Sequence, residues 1–202
     1  MHAHFNTTWA GLVRAHRARC WLRAALLGAV LGNSWVQAHA RPDAERNHPE
    51  VAALKGAVPT APVRLRVWGF EVYDARLWRS AGFRYGQYAQ HPFTLELQYL
   101  RRLEGAAIAS RSIDEMRRVG RFTEVQAQSW QAALRALVPD VGPGDRISGV
   151  NLPGVGAEFW VNGQRVGAVH DSVFARLFFG IWLDERSSEP KMRSQLLQGL
   201  TP

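Results

Sequence analysis

The chain predicts an α+β fold, with helices packed over an antiparallel sheet, on three observations. Segments of two-residue alternation come first, then helical spacing, then alternation again, then helices, which is not the order of repeated βαβ units. An Asn162-Gly163 pair sits between two strand-like runs, a strong hairpin signal. Near the C-terminus Phe174, Leu177, Phe178, Ile181 and Trp182 give one helix an apolar surface too broad to leave in water. The chain has 202 residues, 47% hydrophobic and 21% charged, enough for one domain whose core needs no metal or disulfide.

Each element has a local reason. Val63, Leu65 and Val67 alternate with Arg64, Arg66 and Trp68, and after Gly69, read as a bulge or a close backbone approach, Phe70, Val72 and Tyr73 continue to Trp78. Phe93 to Tyr99 alternates as a third strand with its odd positions toward the core. Ala107, Ile108, Ile113, Met116 and Val119 follow helical spacing and predict one continuous helix from Glu104 to Gly120. A second helix, Thr123 to Leu137, is expected to turn Val125, Trp130, Ala133, Leu134 and Leu137 inward before Pro139 stops it. Pro143-Gly144-Asp145 is a turn signal ahead of a strand at Arg146–Asn151. The hairpin follows, with arms Ala157–Val161 and Arg165–Val169. Asp171 is placed to cap the next helix, and Pro190 opens a final one ending at Leu197.

Residues 1–40 follow the pattern of an export signal. Arg14, Arg17, Arg19 and Arg23 precede the apolar run Ala24–Gly32, and Ala38-His39-Ala40 has the small-x-small spacing of a cleavage site. The run falls far short of the ~20 apolar residues of a membrane span. The expected organisation is a signal peptide at 1–40, a polar, proline-spaced flexible lead-in at 41–61 with a short helical turn near Glu50–Leu54, and one domain at 62–202. The expected location is periplasmic or secreted. Cleavage near Ala40 removes Cys20, the only cysteine, which excludes disulfides and thiol catalysis from the mature chain. It also removes four of the eight net positive charges. The remainder is too mild and scattered for nucleic acid, and the Arg117, Arg118 and Arg121 group reads as a solvated face. No transmembrane segment is expected in the mature chain, and the sequence names no protein partner.

Four stretches, taken in order and spacing, carry a resemblance to a known family. They are Trp68-Gly69-Phe70-Glu71-Val72-Tyr73-Asp74-Ala75-Arg76-Leu77-Trp78, then Leu95-Glu96-Leu97-Gln98-Tyr99, then the Ile108-to-Met116 helix. The fourth runs from Pro143-Gly144-Asp145 through Asn162-Gly163 to Phe179-Gly180-Ile181-Trp182-Leu183. From Val63 to Leu200 the chain resembles the exported bacterial branch of the chalcone-isomerase-like family. The resemblance implies an open-faced β-sandwich, one large antiparallel sheet covered by helices on one face. Plant members cyclise a flavonoid precursor with an arginine and a threonine–tyrosine–asparagine network, and related plastid proteins bind fatty acids in the same cleft. In this chain the network positions fall at Trp68, Ile108 and Glu115, and Ile108 can neither donate a hydrogen bond nor hold a catalytic water. Fold kinship alone does not confer the activity.

The expected ligand site is therefore a carboxylate clamp. Arg64 and Arg66 share one strand face, and Tyr99 and Arg111 are placed to complete the site, because a guanidinium in an apolar cleft grips a carboxylate through paired hydrogen bonds. The alternative for the two strand arginines is a solvated edge, and for Tyr73 simple packing. Catalytic candidates are Glu115 and Tyr99 only. His48, His91 and His170 have no second histidine at ligand spacing, so no metal or cofactor is expected. His170-Asp171 are neighbours that point apart, and neither a serine elbow nor a phosphate loop is present. The leading expectation is an exported, non-catalytic binder of a small apolar or acidic ligand, such as a fatty-acid-like molecule. An isomerase or intramolecular lyase acting on a conjugated molecule, and an envelope structural or partner-binding protein, are the alternatives.

Overall fold

Proline and alternation shape the first edge of the sheet. The computed structural model describes His48–Pro202; the expected export signal, its cleavage site and Cys20 lie outside the described residues. β1 (Val58–Pro59) and β2 (Val63–Val67) both pair antiparallel with β3 (Phe70–Arg79), β1 against Trp78 and Arg79, β2 against Phe70 to Ala75. Both therefore lie on the same side of β3, broken at Thr60–Pro62. β4 (Phe93–Tyr99), β5 (Arg146–Leu152), β6 (Gly156–Val161) and β7 (Gln164–Val169) extend the sheet in chain order, every pair antiparallel. Two tight turns depend on positive φ. Asn162 and Gly163 join β6 to β7 at φ 51° and 81°, while Trp68 and Gly69 join β2 to β3 at 50° and 82°. Gly69 is thus a hairpin turn, where a bulge or close approach was expected, and the register shift in this pair falls at Leu65/Arg66.

The helices cover one face. α1 (Gly105–Val119) and α2 (Glu124–Leu137) are joined by a short connection, and α3 (Ser172–Leu183) and α4 (Pro190–Leu196) follow β7. Asp171 caps α3 by accepting from the Val173 and Phe174 amides and also receives the Trp130 indole N–H at 3.0 Å, tying α2 to α3. Thr123 caps α2 in a reciprocal box with Gln126. The core is an aromatic chain across the helix–sheet boundary: Phe93 meets Phe179 edge-on at 4.8 Å, and Phe159 meets Phe178 at 5.3 Å. α3 passes close to α1 because Gly180 has no side chain; a Cβ there would sit 2.5 Å from Val119 Cγ1 and 2.8 Å from the Tyr88 hydroxyl. This is the α+β architecture expected, with helices on one side of a large antiparallel sheet.

Two expectations are corrected. Val125 is 77% exposed, because the Thr123 cap sets the phase of α2 so that Ala127, Trp130 and Leu134 form its buried stripe. From His48 onward the segment expected as flexible lead-in is folded onto the sheet: its expected helical turn lies at Pro49–Val51, and Glu50, Val51 and Leu54 are buried.

Candidate functional site

The β2 alternation divides the expected site residues between two faces. Val63, Leu65 and Val67 are buried toward the helices, while Arg64 and Arg66 lie on the opposite, exposed face. There Arg64 grips Asp74 through two bonds of 2.7 and 2.8 Å and reaches Glu71 at 2.9 Å, and Arg66 holds Glu71 at 2.8 Å. These arginines are committed to carboxylates of β3, and they do not meet Tyr99 or Arg111. The solvated-edge alternative describes them.

Tyr99 and Arg111 belong instead to a buried cluster of polar groups at the helix–sheet boundary. Tyr99 pairs across the strands with Tyr73, which pairs with Leu65, so all three share the helix-facing side. The two tyrosine rings meet edge-on at 5.9 Å, and the Trp182 indole of α3 donates to the Tyr73 hydroxyl at 3.0 Å. Above them α1 presents Arg111 and Glu115, one turn apart and both buried, as a direct ion pair. Arg118, half exposed, approaches the other oxygen of Glu115 at 3.6 Å. Glu189, the residue ahead of α4, completes the group. Tyr73 feels the charges of both Glu189 and Glu115.

Burial governs the chemistry available here. Desolvation pushes both the Tyr73 and Tyr99 hydroxyls far above their ordinary value, which leaves them neutral hydrogen-bonding groups at any physiological pH. Desolvation lowers Arg111, and the Glu115 charge opposes it. Glu189 is raised, first by burial and then by Glu115, with Arg111 acting the other way. Ile108 is partly buried on α1, and its side chain offers no hydrogen-bond donor there. The arrangement can hold a charge or a polar headgroup against an apolar wall.

The family model for chalcone isomerase-like proteins matches residues 60–198. The chain belongs to the chalcone isomerase-like family. An uncharacterized protein of Haemophilus influenzae is 31% identical over 131 residues, covering 64% of this chain. The match spans 63% of that relative's length. Among solved structures, a fatty-acid binding protein from Arabidopsis thaliana superposes with a TM-score of 0.52 at 13% identity, over 69% of this chain and 84% of its own. At that identity the likeness is one of fold.

Of the residues singled out in the sequence, Tyr99, Arg111 and Glu115 lie in this cluster, whereas Glu189 and the Tyr73–Trp182 bond were not anticipated. The Trp182 signal was present, since an indole on a helix facing the sheet needs an acceptor. Nothing local marks Glu189, which reaches the site only because Pro190 starts a helix there. Among the described residues no helix is long and apolar enough to cross a membrane.

Proposed function

We propose that this chalcone isomerase-like protein is a non-catalytic binder of a small apolar acid, acting outside the cytoplasm after removal of its export signal. The observation that carries the reading is the buried guanidinium of Arg111, set over the apolar, tyrosine-lined side of the sheet. Such a charge is stable there only beside an anion. Glu115 supplies one from α1, and the approach of Arg118 gives Glu115 a second partner. A ligand carboxylate can then share Arg111 while its apolar tail lies between α1 and the sheet. The fold likeness to a fatty-acid binding protein supports this ligand class. Of the two proton-transfer candidates of the isomerase alternative, Tyr99 is buried in the core and Glu115 is committed to an ion pair with Arg111.

Native mass spectrometry with lipid extraction on the purified chain is expected to find an apolar acid at near one equivalent. In a displacement titration with a fluorescent fatty acid, Arg111→Gln is expected to weaken binding at least about tenfold, the scale of one lost charge-assisted bond. Arg64→Ala with Arg66→Ala is expected to leave it unchanged. An empty protein that also takes up no probe would remove this reading.

One observation favours a second reading, a partner-binding surface. At the β2–β3 turn Trp68 and Phe70 are each about half exposed, with the Arg101 guanidinium 5.2 Å over the Phe70 ring.

A further inference from the structure

The sheet face turned away from the helices carries a second buried polar cluster, built from residues the Arg111 site does not use. Even positions of β4 and β5 bring Glu96, Arg146 and Ser148 to this face, and the folded segment before β1 lays His48 and Glu50 on top of them. Glu50 and Glu96 are 2% and 5% exposed. The Nδ1 atom of His48 lies 3.1 Å from a Glu96 oxygen and 3.5 Å from a Glu50 oxygen, and one ligand atom from each residue falls within 4.8 Å of the others.

We propose that His48, Glu50 and Glu96 bind one divalent transition-metal ion of the zinc class, which clasps the N-terminal segment to the sheet. One imidazole nitrogen with carboxylate oxygens is a zinc-type donor set, and three protein ligands leave a fourth position for water. With bonds of about 2.0–2.1 Å, tetrahedral ligands stand ~3.3 Å from one another. The two nitrogen–oxygen separations bracket that value. Among the described residues Nδ1 has neighbouring carboxylate oxygens but no hydrogen-bond partner, and neither has Oε2 of buried Glu50.

The surrounding groups orient the ligands, as outer partners do in metal sites. Ser148 Oγ donates to Glu50 Oε1 at 2.9 Å, Arg146 stands 3.3 Å from the same oxygen, and the Trp78 indole donates to Glu96 Oε2 at 3.2 Å. The His48 ring rests 4.8 Å from the Trp78 ring, which limits its rotation. Two guanidiniums share this face with the two carboxylates: Arg146 pairs with Glu50, whereas Arg76, across the strands from Glu96, lies 5.8 Å over the Trp78 ring, so Glu96 is the carboxylate left to balance a cation. The competing arrangement is a protonated His48 bridging the two carboxylates with no metal.

The test is a titration of the EDTA-dialysed, tag-free full chain with zinc chloride, read by calorimetry and thermal melting. One equivalent is expected to bind and to raise Tm by roughly 5–10 °C at a hundred times its Kd. His48→Ala and Glu96→Gln are expected to lose that equivalent, and His170→Ala, exposed and remote, to keep it. Because both variants also remove packing contacts of the N-terminal segment, a second readout uses the unaltered chain. One equivalent of Co²⁺ is expected to shift the Trp78 indole N–H resonance, assigned with Trp78→Phe, since that proton points at a ligand carboxylate. Zinc binding that persists in folded His48→Ala, a Tm that rises no further than in it, or a Trp78 resonance untouched by Co²⁺ would each overturn the proposal.

Discussion

Glu189 illustrates how one side chain can link a site to pH. Its carboxyl is raised above the ordinary 4.5, mainly by burial and then by the charge of Glu115. Between its ordinary and its raised value the folded chain holds a proton that the unfolded chain has released. Stability from this group is therefore greatest below about pH 4.5 and declines as pH rises through the folded pKa. Glu189→Gln is expected to flatten that decline and to raise Tm at neutral pH, measured by melting curves across pH 4–8. The Tyr73 hydroxyl gives a second residue-level expectation. Trp182→Phe removes its indole donor and is expected to cost about 1–3 kcal/mol, the range for a buried polar group left unpaired, read from urea unfolding.

At the level of elements, two features of α3 carry opposite lessons about propensity. Alanine is a better helix former than glycine by about 1 kcal/mol, yet Gly180→Ala drives a methyl into Val119 and Tyr88. Overpacking of this kind costs typically 1–3 kcal/mol, so the urea midpoint is expected to fall with an unchanged slope. The Asp171 cap, the Asn162-Gly163 turn and the strand at Phe93–Tyr99 were all legible in the sequence, because each is settled by chemistry within a few residues. Val125 was not, because α2 takes its phase from the Thr123 cap and from the α3 surface it meets. Nor was the burial of Glu96, since the even positions of β4 are covered by a segment more than forty residues earlier. The candidate site was half legible for the same reason. Arg111 and Glu115 are neighbours on one helix, whereas the separation of Arg64 and Arg66 from them depends on which face β2 turns inward.

For the molecule as a whole, the family match begins at residue 60, but the folded unit begins earlier. Val51 and Leu54 are buried, and each buried aliphatic side chain contributes roughly 1.5–3 kcal/mol. A chain starting at Thr60 is therefore expected to melt at least about 5 °C lower than one starting at residue 47, given 2–4 °C per kcal/mol at this size. The same truncation uncovers Glu96, Arg146 and Ser148 on the far side of the sheet. Measured side by side, the two chains separate the stability of the family-matched region from that of the segment before it.

The divided strand along β3 has a consequence for crowded conditions. An unbroken outer strand offers a row of free amides and carbonyls on which another chain can polymerise. Here that border is short at β1, where Pro59 has no amide to offer, interrupted again at Pro62, and flanked along β2 by Arg64 and Arg66 paired with acids. A neighbouring molecule finds no continuous ladder to extend, so fibril growth from this side of the sheet is blocked at its first step.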